Sequence, residues 1–265
     1  MGPWQRIRTA TGFLTAVPVG DPPNDFADDP SWLSAAPLVG AALGLVTATL
    51  LAALRGLSAD RYQQLLTSAL VIAFLALITR GLHLDGFADM VDGLGAAGRG
   101  TQAGLAAMRD PNTGAFATAG LALLLLIQVT ALWQDIVVER GTTSIITAIA
   151  VSRCALLWGA RRGVKSARPD GLGATVIGSV PTAVVVLASA ALITVCSARG
   201  AIDDSRGAGG AAHVAIACVL ALAASIGLRK VAEKRLGGVT GDVLGAMVEV
   251  AMTTVLVVMA YDIDS

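Results

Sequence analysis

Seven apolar runs divide this sequence, and each is about as long as a helix that crosses a lipid bilayer. Crossing the hydrocarbon core takes about 20 apolar residues, and a backbone without water must satisfy its own hydrogen bonds, as an α-helix does. We therefore predict an all-α, polytopic membrane bundle of about seven transmembrane helices, with a single membrane domain over residues 1–265. The runs lie near 32–54, 64–82, 115–133, 145–160, 174–196, 211–228 and 243–260.

Composition supports a membrane protein. Hydrophobic residues make up 55% of the chain and charged residues 14%, which is too apolar for a soluble domain of this size. The formal net charge is zero, so no nucleic-acid partner is expected. The three cysteines, Cys154, Cys196 and Cys218, lie inside apolar runs without metal-ligand spacing, and we interpret them as small buried residues.

Residues 1–31 precede the first run and are predicted to form a segment at the membrane surface. Their apolar patch at 13–17 is short and is followed by Pro18, which is not typical of a cleaved signal. A Pro- and Asp-rich turn region is expected over 21–30. In the first run, Gly40 and Gly44 form a pattern of small residues that lets helices approach closely.

The distribution of Lys and Arg predicts the orientation. With seven spans, the basic residues are concentrated in the segments on the side of the N-terminus, which places that side in the cytoplasm. The three loops of unusual sequence, 83–114, 161–173 and 229–242, all fall on this side. We therefore predict a multi-pass protein of the bacterial cytoplasmic (inner) membrane with a polar site that faces the cytoplasm.

The stretch from Gly81 to Gly95 carries three aspartates, Asp85, Asp89 and Asp92, at i, i+4 and i+7. On a helix this spacing places all three on one face, where neighbouring like charges repel by a few tenths of a kcal/mol. A divalent cation removes the repulsion, and carboxylate oxygens with a phosphate substrate suit Mg²⁺. The alternative is a polar helix end that caps a membrane span.

The end of the first loop and the second loop carry residues that suit phosphate groups. Arg109 and Asp110 precede Pro111, and an arginine beside a helix N-terminus is a natural phosphate site; a simple turn with a cap is the alternative. Arg168, in a turn rich in Pro, Asp and Gly, is a candidate for an anionic ligand.

The third loop leads directly into the last run. Its Gly238, Thr240 and Gly241 would let the backbone approach a phosphate closely. Asp242 would either join a metal shell or cap the helix. A glycine-rich loop on its own is weak support for a site.

Arg153 and Glu249 lie inside apolar runs, at a depth of about 10 Å from the predicted cytoplasmic face. Burying either charge alone costs several kcal/mol, so each needs a partner. We expect the two residues to pair with each other or to line the floor of a cavity. A buried ion pair that serves only helix packing is the alternative.

Taken together, these residues resemble the adenosylcobinamide-GDP ribazoletransferase family, nearly from end to end. Ala16 and Met252 depart from it, since the family often has a basic residue at the first position and an acid at the second. The residues that carry the resemblance are 13–15, Pro18, 83–86, Ala88, Asp89, Asp92, Gly93, Met108, Asp110, 114–116, Arg153, Arg168, 171–173, 237–242, 244–246 and Glu249.

The resemblance implies a Mg²⁺-dependent membrane enzyme that joins adenosylcobinamide-GDP to α-ribazole, or to its 5′-phosphate, and releases GMP. Catalysis is then expected from Asp85, Asp89, Asp92 and His83, with His83 orienting a carboxylate. The expected Mg²⁺ ligands are Asp85, Asp89, Asp92 and Asp242. The expected substrate and phosphate contacts are Arg109, Asp110, Arg153, Arg168, Gly238, Thr240, Gly241 and Glu249.

Two other classes remain open at this point. A CDP-alcohol phosphotransferase usually has Asp-Gly-x-x-Ala-Arg, and here Asp89 stands in place of the arginine after Ala88. A transporter usually places its polar residues near the bilayer midplane rather than at one face. The expected partners are the two substrates and the lipid bilayer, with a homo-oligomer or an association with other corrinoid-pathway enzymes left open.

Overall fold

The computed structural model describes residues 1–20, 29–57, 60–203 and 207–261 of the chain. Within these ranges the regular structure is helical, which confirms the predicted all-α class. A 3-10 segment over Pro30–Ala35 leads into the second helix, while most of the turn region expected over 21–30 lies outside the described residues. The helices are α1 (Pro3–Leu14), α2 (Ala36–Leu57), α3 (Arg61–Ile78), α4 (Leu82–Ala96), α5 (Thr101–Ala107), α6 (Ala115–Val137), α7 (Gly141–Gly159), α8 (Leu172–Val176), α9 (Thr182–Asp203), α10 (Ala208–Leu236) and α11 (Gly241–Ala260).

Seven helices of the described ranges are long and apolar enough to cross a membrane, which agrees with the predicted polytopic bundle. They are α2 with its 3-10 segment, α3, α6, α7, α9, α10 and α11. Helices α7 and α11 form the centre of the bundle. In their most apolar 18-residue stretches, 83% and 67% of the residues are buried inside the protein. On the outer helices large aliphatic side chains face outward, for example Leu45, Leu126 and Leu187, which are 59%, 60% and 69% exposed. Such exposed apolar surface suits a lipid surrounding.

The glycine pair of the first run has the predicted role. A Cβ at Gly40 would lie 2.9 Å from the Cβ of Arg153, and one at Gly44 would lie 3.1 Å from the carbonyl oxygen of Ile146. Helix α2 therefore contacts α7 almost backbone to backbone, and any larger residue at these two positions would force the helices apart.

The second run is shorter than predicted. Helix α3 ends at Ile78 instead of continuing to Leu82, because Arg80 and Gly81 both have positive φ, at 54° and 66°. The chain turns there, and α4 begins as a separate helix that does not continue the span. The Arg80 guanidinium fixes the turn to α1 by donating to the carbonyl oxygens of Gly12 and Phe13, at 3.2 and 3.0 Å.

The fifth run begins later than predicted. The expected span over 174–196 overlaps the short helix α8 and the first part of α9, which starts only at Thr182. Gly178 has a φ of 80° and Pro181 directly precedes α9, so the chain bends between the two helices. Residues 174–181 are therefore apolar because they pack against the bundle, and they do not begin a membrane helix.

Candidate functional site

The site is built on the crossing of α4 and α11. A Cβ at Gly86 would lie 2.8 Å from the carbonyl oxygen of Asp242, and one at Gly245 would lie 3.3 Å from the Cα of Gly86. A side chain at Gly86 would force the helices apart, and one at Gly245 would be tight against Gly86. The close approach brings Asp85 and Asp89 of α4 beside Asp242, in the first turn of α11, although more than 150 residues separate them in sequence.

The three carboxylates repel one another. Burial, and then the negative charges of Asp242 and Asp85, raise the pKa of Asp89 to about 6, while the Arg168 guanidinium opposes the rise. Asp85 is exposed, whereas Asp89 and Asp242 are half-buried. Three of the four predicted metal ligands, Asp85, Asp89 and Asp242, therefore lie together, and they come from two helices.

Asp92, the third member of the predicted stripe, has a different partner. Its carboxylate accepts hydrogen bonds from the backbone N–H groups of Gly114, at 2.6 Å, and Ala117, at 3.1 Å. These are free N–H groups at the start of α6, so Asp92 caps that helix from a neighbouring one. The structure thus gives Asp92 a helix-capping role that the stripe did not predict.

Arg168 links the elements around the carboxylates. Its guanidinium donates to Asp242 Oδ2 at 3.4 Å and to the carbonyl oxygen of Leu105 on α5 at 3.1 Å. Thr240 also donates to Asp242 Oδ2, at 3.2 Å, and its hydroxyl caps α11 by accepting from the N–H of Val243. We call Asp85, Asp89, Asp242 and Arg168 the carboxylate site.

The glycine-rich loop before α11 packs against the loop that carries Arg168. The N–H of Ala167 donates to the carbonyl oxygen of Val239 at 2.8 Å, and the N–H of Val239 donates to that of Lys165 at 2.9 Å. A Cβ at Gly238 would lie 2.6 Å from the backbone nitrogen of Ala167. Gly238 is therefore buried by the neighbouring loop instead of facing a phosphate as predicted, whereas Gly241 is exposed.

Arg109 and Arg168 line one surface cavity of about 430 Å³, which we call the arginine cavity. Arg109 is exposed and pairs with Asp170 at 3.1 Å. Asp110 is exposed too, and two hydrogen bonds from Asn112, from its backbone and then its side chain, hold the pKa of Asp110 below the usual value. Two of the three arginines expected to contact phosphate are thus brought together, with Asp170 as a partner that the sequence did not reveal.

A second cavity, of about 150 Å³, adjoins the carboxylate site and is walled mostly by apolar side chains. We call it the apolar cavity. Asp85 and Asp242 lie at its polar side, and His83 lines it as well. His83 is only 3% exposed, and its Nε2 has no hydrogen-bond partner among the described residues. Burial, and then the positive charge of Arg153, lower the pKa of His83 well below its ordinary value.

Arg153 and Glu249 do not reach either of these cavities. They line an internal space of about 10 Å³, which holds no more than one water molecule. Glu249 accepts a hydrogen bond from Gln128 at 2.8 Å, and Arg153 donates to Ser152 at 2.9 Å. The two residues therefore line a small internal space and not the floor of a site cavity. Because this space is too small for a phosphate, the arrangement does not form the phosphate contacts expected of them.

The carboxylate site fits a hard divalent cation by the chemistry of its donors. Asp85, Asp89 and Asp242 supply only oxygen atoms, and their mutual repulsion is the condition that a cation relieves. Within the described ranges no three His, Cys, Asp or Glu side chains are already arranged as a ligand set. Such a site suits Mg²⁺, which takes one or two protein carboxylates and completes its shell with water and substrate phosphates.

Fold and site together define a polytopic helical membrane protein with carboxylates and arginines gathered at one end of its bundle. The sequence profile of the cobalamin-5-phosphate synthase family matches residues 6–260. The chain belongs to this family, which confirms the resemblance found in the sequence.

The relatives support the same assignment. The chain is 40% identical to the adenosylcobinamide-GDP ribazoletransferase of Frankia casuarinae, over 97% of this chain and 95% of that protein. It is 35% identical to the protein of that name from Pseudomonas entomophila, over 95% and 96%, and 32% identical to that from Syntrophobacter fumaroxidans, over 96% and 97%. No solved structure matches. These findings mark the chain as a transferase and support neither the CDP-alcohol phosphotransferase nor the transporter alternative.

Sequence reasoning missed the residues that hold the site together. Gly86 and Gly245 create the helix crossing, and part of the wall of the apolar cavity comes from α1 and the 3-10 segment. An isolated glycine inside a helical pattern is the one signal that pointed to the crossing. Nothing in the sequence linked the N-terminal segment to the aspartates.

Proposed function

We propose that the chain joins adenosylcobinamide-GDP to α-ribazole, or to α-ribazole 5′-phosphate, and releases GMP. A ribose hydroxyl of the acceptor attacks the phosphorus that bears the cobinamide. The new P–O bond forms as the P–O bond to GMP breaks, and the hydroxyl proton passes to a carboxylate. The observation that carries this proposal is the placement of Asp85, Asp89 and Asp242 beside Arg168, next to an arginine-lined cavity.

The position of each residue in the site indicates its role in the reaction. Asp89 is the more shielded of the two α4 carboxylates in the site, and we assign it the hydroxyl proton. Arg168 and Arg109 face the arginine cavity and bind the diphosphate oxygens, where negative charge must be stabilised as the bond to GMP breaks. Thr240 and Arg168 hold Asp242 in place.

Asp85 and Asp242 are the residues that would hold Mg²⁺. When bound, the ion would supply a positive charge that screens the phosphoryl oxygens and the leaving GMP. His83 and Asp92 then have supporting roles, His83 beside the carboxylates and Asp92 as the cap of α6.

We also propose that the carboxylate site faces the cytoplasm of a bacterial cell, in the cytoplasmic membrane. The support is the concentration of Lys and Arg in the segments at this end of the bundle. Both substrates carry polar or charged groups that do not cross a bilayer unaided, which agrees with a cytoplasmic site.

The test uses purified membranes that contain the protein. Adenosylcobinamide-GDP and α-ribazole are added with and without EDTA, and GMP release and the corrinoid product are measured. We expect stoichiometric GMP and joined product, both lost with EDTA and restored by excess Mg²⁺. Release of CMP from a CDP-linked lipid in place of this reaction would overturn the proposal. Full turnover in EDTA would remove the metal from it.

A further inference from the structure

The apolar cavity has a shape and chemistry that the reaction at phosphorus does not require. Its wall includes Phe13 of α1, Trp32 and Leu33 of the 3-10 segment, Leu156 of α7 and Leu244 of α11. The Phe13 and Trp32 rings pack with centroids 5.0 Å apart and planes inclined by 52°. This wall is therefore aromatic and aliphatic, and it is drawn from four separate elements.

The cavity is polar on one side only. Asp85 and Asp242 of the carboxylate site line it there, and so does His83, whose buried Nε2 has no partner within the described chain. A buried ring nitrogen without a partner loses free energy that a ligand hydrogen bond restores. Depending on its tautomer, this nitrogen can donate to or accept from a ligand.

The volume limits what the cavity can hold. A space of about 150 Å³ with apolar walls is on the scale of cavities that bind small aromatic molecules. A corrin ring is far too large for it. Guanine has the right size class, but its several hydrogen-bonding groups would remain unpaired against an apolar wall, and burying them there costs free energy. A flat, mostly apolar heteroaromatic ring fits best.

We propose that the apolar cavity binds the aromatic base of the acceptor nucleoside, a benzimidazole-type ring. This inference rests on the proposed function and adds a base subsite to it. With the ring in the cavity and a ring nitrogen near His83, the attached ribose extends toward Asp85 and Asp242. The base thus positions the ribose hydroxyl at the carboxylate site, and cavity size selects among acceptors by their bases.

A lipid acyl chain is the competing occupant. It would leave the His83 nitrogen unpaired and would place methylene groups against two carboxylates, whereas a nucleoside satisfies both ends of the cavity. The two occupants differ in what a change of cavity volume does to nucleoside binding, and the experiments below separate them.

The first experiment measures binding of benzimidazole riboside to the purified full chain in detergent, by calorimetry. Leu156→Trp fills the cavity, and Leu126→Trp places the same side chain on the outward face of α6 as a matched control. We expect binding to weaken by about tenfold or more in the first variant, the scale of a steric mismatch in a hydrophobic pocket, and to stay unchanged in the second. Equal binding by both variants would overturn the base subsite.

A second variant separates loss of the subsite from misfolding, because it is expected to bind certain ribosides more tightly. Leu156→Ala enlarges the cavity, so ribosides with bulky 5,6-substituents should bind at least about tenfold more tightly to it than to the unaltered chain. Misfolding cannot produce such a gain. No gain, together with loss of a co-purified lipid from Leu156→Trp, would assign the cavity to an acyl chain.

The outcomes for the two proposals remain distinct. If the unaltered chain releases GMP with joined product but Leu156 variants bind ribosides as it does, the function stands and the subsite fails. If the riboside binds in a Leu156-dependent way but no joined product forms, the proposed function fails while the cavity still takes an aromatic base.

Discussion

At the scale of single residues, the aspartates of one helical face have separate tasks. Asp85 and Asp89 join Asp242 in the carboxylate site, whereas both oxygens of Asp92 are occupied by the N–H groups of Gly114 and Ala117. The spacing correctly predicted an acidic face on α4. It could not predict which carboxylate would meet a helix N-terminus, because that depends on where α6 begins in space.

Replacement of Asp89 tests its assignment as proton acceptor. Asp89→Asn keeps the size of the side chain but cannot accept the proton, and we expect turnover to fall by roughly 10²–10⁴-fold. The measurement is GMP release at saturating substrates. Glu139→Gln, an exposed acid-to-amide change at the far end of the bundle, serves as the control and should leave the rate unchanged. A rate within a few-fold of normal for Asp89→Asn would contradict the assignment.

Asp92 should behave differently from Asp89. Asp92→Ala leaves the N–H groups at the start of α6 without their acceptor, which costs about 1–3 kcal/mol of stability. Asp92→Asn retains one acceptor oxygen and should be less destabilised. We expect thermal unfolding in detergent to show this order, with more residual activity in Asp92→Asn than in Asp89→Asn. If Asp92→Asn is as stable as the unaltered chain yet inactive, Asp92 belongs to the reaction and not to the cap.

At the scale of elements, the crossing of α4 and α11 decides the geometry of the site. Neither helix carries a side chain at Gly86 or Gly245, so the backbones meet and the carboxylates of one lie beside that of the other. The pattern of apolar runs predicted both helices but not their contact. Contact depends on which faces are smooth enough to approach, and a single glycine in a helical pattern is compatible with several other roles.

A single methyl group tests this crossing. In Gly86→Ala the new Cβ would lie 2.8 Å from the Asp242 carbonyl oxygen, so α4 must move away from α11. A shift of about 1 Å at a reacting centre can lower the rate by 10²-fold, and we expect a loss of that order with the helical content unchanged by circular dichroism. Gly98→Ala is the matched control, because a Cβ there meets nothing within 4 Å. Equal activity of the two variants would show that the close approach is dispensable.

The bounds of the helices show where sequence reasoning is limited. Hydropathy identified every membrane-length helix of the described ranges, yet it continued the second run through Arg80 and Gly81 and started the fifth before Pro181. In both places the apolar composition persists while the backbone turns. Apolar composition indicates that a segment lies in protein or lipid, but it does not indicate where the backbone turns.

At the scale of the whole molecule, the seven membrane-length helices of the described residues place the three polar loops at one end. This shared end was predicted from the parity of the spans, and the contacts Arg168–Asp242 and Arg109–Asp170 confirm that the loops meet. The details within that end were less predictable. Gly238 packs under a neighbouring loop, and Arg153 and Glu249 lie in the interior, because tertiary packing decides which polar residues remain accessible.

The side of the membrane that the carboxylate site faces can be measured directly. Cysteine is introduced in separate variants, Gly98→Cys at the site end and Tyr62→Cys at the far end, since the native cysteines at 154, 196 and 218 are buried. With a membrane-impermeant maleimide on intact cells, we expect Tyr62→Cys to be labelled at once and Gly98→Cys only after the membrane is opened. The reverse pattern would place the carboxylate site outside the cell.

The turn after α3 determines how substitutions in α1 affect the protein. The N-terminal helix is held there through the carbonyl oxygens of Gly12 and Phe13, which accept from Arg80. Every amino acid has the same backbone carbonyl group, so these two hydrogen bonds do not depend on the side chains of the helix. A substitution on the inner surface of that helix would therefore change the fit of the apolar cavity without removing the hydrogen bonds that hold the helix in place.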